Sequence, residues 1–336
     1  MKRPNPCVAF VCTVATAAVL GAAGARADGL PVLGVDVGGT GVASSSGNAR
    51  YVTMPAGNDT VLARVSPSGG RVLASTFLRG TFTIPAVAYD SSAGGLSHDG
   101  RTLVLIEPRV GFPRARTALM VVDTRRPFLT PGKVIDLKGD FSFDAVSPHG
   151  SLLYLIQYVN PTDPTRYLVR AYDLRSGSLL ARPVVDPRER SDKMRGSPLT
   201  RATSPDGRWD YTLYDGAGGT PFVHALDTST RSARCIDLPS LAGTNVWQLR
   251  FRLDRTGRTL TLANGRHPML AVDTVSFATS VPSVPAVPTA APTGFPWTLV
   301  LLAALGAVLA AAALAVVVRR RGAGLIRPDR SPARAN

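Results

Sequence analysis

"AVSPHGSLLYLI", residues 145–156, reads as a short strand, a tight polar turn closed by Gly150, and a second strand. The same phrase recurs as "GLSHDGRTLVLI" (95–106), "ATSPDGRWDYTL" (202–213) and "RLDRTGRTLTLA" (252–263), with "RVSPSGGRVLAS" (64–75) as a looser copy. Aligned on Gly100, Gly150, Gly207 and Gly257, the four closer copies follow one another at 50, 57 and 50 residues. Self-similarity at such a period marks a repeat architecture, in which one supersecondary unit buries its apolar faces against the next. The second strand of each copy is expected to alternate apolar and polar residues.

A third strand follows each turn in "LMVVDT" (119–124), "VRAYDL" (169–174), "VHALDT" (223–228) and "MLAVDT" (269–274). Each ends on an aspartate (Asp123, Asp173, Asp227, Asp273) whose side chain opens the next turn by accepting backbone N–H groups. "KVIDL", "PVVDP" and "CIDLP", carrying Asp136, Asp186 and Asp237, predict a fourth strand in three copies, with Cys235 at an apolar position. Four antiparallel strands per unit, without helical periodicity, predict an all-β fold: a β-propeller of five or six four-stranded blades.

The phrases "SPDGR" and "VDT" resemble the YVTN, TolB and WD40-like propeller repeats of the bacterial cell envelope, over residues 60–280. The copies lack the Trp-Asp ending of WD40 blades, so the resemblance implies an architecture and not a set of partners.

The two ends set the expected location. Lys2 and Arg3, an apolar run over 8–20 and Ala25-Arg26-Ala27 have the layout of a secretory signal peptide over residues 1–27. Residues 28–280 are then the extracytoplasmic propeller and 281–294 a Pro-rich linker, which extends as a semi-rigid spacer. The uncharged stretch 295–318 would run about 36 Å as a helix, enough for a hydrocarbon core of about 30 Å. Residues 319–336 carry six Arg against one Asp, which by the positive-inside rule places this basic tail in the cytoplasm. The expectation is a single-pass membrane protein with its N-terminal domain outside. "AAPTG" (290–294) also resembles a sortase sorting signal, with cleavage between Thr293 and Gly294. That alternative would leave the domain anchored to the cell wall.

This topology decides the meaning of "VLGVDVGGTGVA" (32–43), which is similar to the first phosphate loop of sugar kinases with an actin-like ATPase fold. No ATP pool is maintained outside a membrane, and the second phosphate loop of those enzymes is missing. The stretch is better read as a strand and Gly-rich turn. It would supply the outer strand that "VSFATS" (275–280) cannot complete, closing the ring between the chain ends.

Composition narrows the function. The chain has 34 Arg and 4 Lys, and residues 28–318 carry 29 basic against 22 acidic residues. A moderately basic extracytoplasmic surface favours anionic neighbours and leaves nucleic acid an improbable partner. Cys235 is the one cysteine outside the signal peptide, so no disulfide scaffold is expected. Glu107 and Glu189 are the only glutamates, no Gly-x-Ser-x-Gly elbow occurs, and no His, Cys or Glu stands at metal-ligand spacing. No cofactor, metal or catalytic residue is expected.

Loops that depart from a repeat are where function is grafted. "EPRVGFPRART" (107–117) brings Arg109, Arg114 and Arg116 together, and "DPRERSDKMRGSPLTR" (186–201) carries Arg188, Arg190 and Arg195. Guanidinium groups so placed could grip phosphate or carboxylate groups, or simply keep a surface soluble. The expected role is a binding or scaffolding module for an envelope protein or an anionic cell-wall polymer. The alternative is a propeller-type hydrolase or lactonase acting in the central funnel, which acidic side chains converging there would favour.

Overall fold

The computed structural model describes residues 41–125, 127–189 and 194–282, together with helical residues between 302 and 316. Residues 41–282 lie in one compact unit and 283–336 form another. In the first unit, sheet order follows chain order through five antiparallel meanders. Blade 1 is β1 (Val42–Ala43), β2 (Arg50–Ala56), β3 (Asp59–Val65) and β4 (Val72–Leu78). Blade 2 is β5 (Thr102–Ile106), β6 (Arg116–Asp123) and β7 (Thr130–Lys138), with Leu96 bridging to Leu103 as its inner edge. Blade 3 holds β8 (Phe141–Val146), β9 (Leu152–Tyr158), β10 (Arg166–Asp173) and β11 (Ser178–Leu179), and β12 (Met194–Arg195) also pairs with β10. Blade 4 runs β13 (Pro198–Thr203), β14 (Trp209–Tyr214), β15 (Phe222–Asp227) and β16 (Ser232–Asp237). Blade 5 is β17 (Leu249–Leu253), β18 (Thr259–Asn264), β19 (His267–Asp273) and β20 (Thr279–Ser280).

The repeated phrase is the hairpin between the first two strands of blades 2 to 5, whereas the looser copy at 64–75 joins the third and fourth strands of blade 1. Its glycine adopts a left-handed conformation every time, with φ of +77° at Gly69, +68° at Gly100 and Gly150, +72° at Gly207 and +73° at Gly257. Glycine reaches that region without the Cβ clash that penalises other residues. The glycine N–H then donates to the carbonyl three residues earlier, at 2.8 to 3.0 Å in all five turns.

What makes these sheets blades is how their faces pair. One apolar cluster joins Leu62 and Leu78 of blade 1 to Leu103, Leu105 and Val122 of blade 2. A second joins Val104 and Ile106 of blade 2 to Phe141, Leu153 and Leu155 of blade 3. A third joins Tyr154 and Val169 to Tyr214 and Phe222, and a fourth joins Leu213 and Val223 to Leu260 and Leu270. Neighbouring residues of one strand thus serve opposite seams, Leu103 and Leu105 one way and Val104 and Ile106 the other. Each fully buried Leu or Val contributes on the order of 1.5–3 kcal/mol. Four seams therefore carry the bulk of the stabilisation.

Three expectations are corrected. The second strands of blades 2 and 3 do not alternate: "LVLI" and "LLYLI" are apolar throughout because both faces are covered. The "PVVDP" segment is not the fourth strand of blade 3. Ser178–Leu179 takes that place, and Val184 N–H only donates to the Val169 carbonyl at 2.8 Å. Blade 5 does have a fourth strand from its own repeat, Thr279–Ser280, and Val42–Ala43, at the end of the phosphate-loop-like stretch, forms the inner strand of blade 1. Residues 32–40 of that stretch lie outside the described residues.

Among the described residues no apolar cluster joins blade 5 to blade 1. The connection from blade 1 to blade 2 instead reaches blade 4, where Tyr89 and Asp90 N–H donate to the carbonyls of Pro198 and Leu199 at 2.9 and 3.2 Å. Tyr89 also stacks edge-on against Trp247, with centroids 5.1 Å apart. The signal peptide, residues 283–294 of the linker and the sorting signal with Thr293 and Gly294 lie outside the described residues. In the second unit, Leu302, Leu305, Leu309 and Leu314 are helical and exposed. No helix of the described residues is long and apolar enough to cross a membrane.

Candidate binding cleft

A cleft of about 340 Å³ opens where the inner strands of blades 1 to 4 meet. Val42, Ala43 and Ser45 wall it from blade 1, residues 93–98 from blade 2, and 144–146 from blade 3; Arg201, Thr203 and Asp210 come from blade 4. Local structure aims the charged members. The β8–β9 register shifts between Phe143 and Ala145, leaving Asp144 as the extra residue of a β-bulge. Such a bulge redirects the side chain it carries. Asp210, the second residue of β14, stands directly opposite Thr203, and the Thr203 hydroxyl donates to its Oδ1 at 2.5 Å.

Arg201 is hydrogen-bonded to Asp144 and acts on Asp210 through its charge alone. Its Nη2 donates to Asp144 Oδ1, its Nη1 to the Asp144 carbonyl, and its Nε to Thr212 Oγ1 at 3.0 Å. Burial works against the guanidinium charge, yet Asp144 and Asp210 hold its pKa above the usual value. Burial pushes the Asp210 carboxyl up from the ordinary range, against the opposing pull of Arg201. Asp144 is 2% exposed, and its Oδ2 accepts no hydrogen bond. Behind the network, His224 is fully buried with an unpartnered Nε2, and burial lowers its pKa to about 4.

The polar turn residues near the cleft are already engaged. Ser97 Oγ donates to Asp99 Oδ1 at 2.6 Å and Ser204 Oγ to Asp206 Oδ1 at 2.5 Å, each within its own Ser-x-Asp-Gly turn. These serines hold turns shut. His149 Nδ1 lies 3.6 Å from Asp99 Oδ2, tying the turn of blade 3 to that of blade 2.

The arginines singled out in the sequence do not gather into one patch. Arg109 is buried, with Nη2 and Nε donating to Asp140 Oδ1 at 2.5 and 3.1 Å, and its guanidinium lies 4.6 Å from the Tyr158 ring centroid. Arg114 donates through its backbone N–H to Asp140 Oδ2 at 3.0 Å and through its guanidinium to the carbonyls of Glu107 and Phe141. Burial, then the neighbouring Arg109, lowers its pKa. Because Asp140 precedes β8, this insertion fastens blade 2 to blade 3. Arg188 pairs with buried Asp186 at 2.5 Å and donates to the Cys235 carbonyl at 2.8 Å, fastening the end of blade 3 to β16. Arg116 pairs with Asp136 across the exposed β6–β7 edge, and Arg195 is exposed on β12, opposite Arg166. Arg190 lies outside the described residues.

Asp186, Glu189 and Cys235 bring three ligand atoms within 4.8 Å of one another. Arg188 and the Cys235 N–H already occupy the Asp186 carboxylate, and burial pushes the Cys235 thiol up to about 12. The chemistry of that set is an ion-pair anchor.

Fold and cleft together define the class: a β-propeller-type repeat, with five blades among the described residues and a charged cleft at its inner strands. No protein-family model matches the chain, and no curated protein matches it. Among solved structures, hydrazine synthase of Kuenenia stuttgartiensis is similar at 16% identity and a TM-score of 0.38, covering 69% of this chain and 75% of its own. TolB from Acinetobacter baumannii is similar at 14% identity and a TM-score of 0.33, over 69% of this chain and 56% of its own. Prolyl oligopeptidase B from Galerina marginata reaches a TM-score of 0.44 at 14% identity, over 71% of this chain and a third of its own length, 33%.

Proposed function

We propose that this chain is a single-pass envelope protein whose extracytoplasmic propeller is a binding or scaffolding module for another envelope protein. The observation that carries this reading is the cleft itself: four blades contribute to one cavity whose charged floor is rigidly hydrogen-bonded. A preorganised concave site with a few convergent polar groups is the usual form of a recognition surface. An anionic wall polymer is the weaker partner, because Arg109, Arg114 and Arg188 already hold aspartates or carbonyls of the chain. Membrane attachment rests on the charge and hydropathy of residues 295–336, and wall attachment on Thr293 and Gly294.

The experiment is in-cell photo-crosslinking of the full-length protein, with the photoreactive residue at Ser45 on the cleft rim and a control at Thr259 on blade 5. One dominant envelope protein captured from Ser45 and not from Thr259 is the expected result. Equal capture of abundant neighbours from both positions would overturn the reading.

A hydrolase or lactonase acting in the same cleft is the second reading, favoured by the convergence of Asp144 and Asp210. Turnover of lactone or ester substrates that disappears in Asp210→Asn would establish it.

A further inference from the structure

One edge of β2 is mostly uncovered. Of its seven residues only Arg50 and Tyr51 pair with β1, whereas β3 takes the other edge over its whole length. Among the described residues no further strand pairs with residues 52–56 on the β1 side. Such an edge presents a row of backbone N–H and C=O groups and invites another strand. Beside it lies a second cavity, of about 390 Å³. Val52, Thr53, Met54 and Pro55 line it in succession, and Met54 is 45% exposed. Successive residues of a strand point to opposite faces, so a cavity that touches all four runs along the edge and not over one face. Its far wall is the connection from blade 1 to blade 2, with Ile84 and Pro85 beside the Ala86–Ala93 bridge. Edge and connection together form a slot.

Gly41, the first described residue, itself lines the slot. Its backbone runs against β2, because a Cβ there would lie 2.7 Å from Val52 Cγ1. Its φ of +63° is the left-handed conformation of the glycine in a G1 bulge, which interrupts a strand's register without ending the strand. Upstream, outside the described residues, Leu33, Val35 and Val37 alternate with Gly34, Asp36 and Gly38. That is the period of a strand with one apolar face. Val37 stands four residues before Gly41, within about 14 Å of it. The free edge from Val52 to Ala56 is about as long.

We infer that residues 33–40 fill this slot as a strand, continuing β1 along the free edge of β2. Gly38 and Gly39 then serve as strand glycines do where another backbone comes close. The stretch that resembles a phosphate loop becomes an internal strand of blade 1, not of blade 5, whose fourth strand is β20. This inference stands apart from the cleft and from the partner proposed for it.

The test is hydrogen–deuterium exchange of the full chain in detergent micelles, read by mass spectrometry over 31–41, 50–56 and 276–282. Amides of 33–40 should exchange about tenfold or more slowly than those of a synthetic peptide of the same sequence. Val37→Pro removes a backbone donor. It should abolish that protection and speed exchange in 50–56, leaving 276–282 unchanged. Exchange of 33–40 at the synthetic peptide's rate would overturn the inference. So would a Val37→Pro effect on 276–282 in place of 50–56, which would make the segment the closing strand of blade 5. Protection that appears only at raised protein concentration would overturn it too, by giving the slot to a second copy.

Discussion

Thr274 shows why the repeat keeps its "VDT" ending. Its hydroxyl donates to the Gly257 carbonyl at 2.6 Å, and its backbone N–H donates to the Arg258 carbonyl at 2.9 Å. Thr124 does the same to Gly100 at 2.7 Å, and Thr228 to Arg208 at 2.8 Å. One side chain therefore pins the end of the third strand to the hairpin turn of the same blade. Replacing Thr274 with Val removes the donor, leaves a part-buried carbonyl, and should cost about 1 kcal/mol. The thermal midpoint should fall by about 2–4 °C for a domain of this size. His224 sets a different residue-scale expectation. Burial is the largest influence on its charge state, ahead of Asp144, Arg201 and Asp186, and lowers its pKa from 6.5 to about 4. Between those values the unfolded chain binds a proton that the native chain refuses. Stability is therefore full above pH 6.5 and falls as pH drops toward 4, by about 3 kcal/mol in all. Urea midpoints at pH 7, 5.5 and 4.5 check this, and His224→Gln should flatten the dependence over that window.

At the scale of strands and loops, the insertions work as fasteners between blades. Asp140 is 3% exposed and receives Arg109 and the Arg114 N–H, both from the β5–β6 loop of the preceding blade. Removing one member of such a pair strands a buried charge, and Arg109→Met should destabilise by about 3–5 kcal/mol. Replacing both, as Arg109→Met with Asp140→Asn, should recover part of that loss. A double-mutant cycle read by urea denaturation measures the coupling. A sum no different from the two single losses would mean the pair is not a unit. The local grammar of the blades was legible because Ser-x-Asp-Gly turns and Asx turns close within five residues. The pairing of Arg109 with Asp140 spans 31 residues and that of Arg201 with Asp144 spans 57, so nothing in either neighbourhood announces its partner. A signal for the cleft was present in "FDAV" and "WDYT", where an aspartate interrupts an otherwise apolar strand. Only the bulge at Asp144 and the meeting of β8 with β13 give those two aspartates a common cavity. Burial on both faces was equally readable in hindsight of the seams. "LVLI" and "LLYLI" belong to blades with two neighbours, and "TLTLA", which does alternate, belongs to blade 5 with one seam.

Across the whole molecule, equivalent turns occupy unlike surroundings. Gly100 and Gly207 have nearly the same φ, +68° and +72°, yet a Cβ on Gly100 would meet nothing within 4 Å, while one on Gly207 would collide with the Cβ of His98. Both substitutions to Ala bear the left-handed penalty of about 1–2 kcal/mol. Gly207→Ala should lose about 1–3 kcal/mol more, the usual cost of forced overpacking. Equal midpoints for the two variants would show that blades 2 and 4 do not touch through their turns.

The arginine fasteners carry a consequence for how such a chain can change over generations. A repeat protein is ordinarily free to lengthen by copying one unit and pasting it beside the original. Here the two central junctions are keyed: Arg109 and Arg114 fit the aspartate ahead of blade 3, Arg188 fits the edge of blade 4, and Arg201 fits the bulge of blade 3. A pasted copy would carry a key with no lock before it and a lock with no key behind it. Its ancestry is legible in its like turns, but its central blades have become parts of fixed address, and inheritance must alter them two at a time.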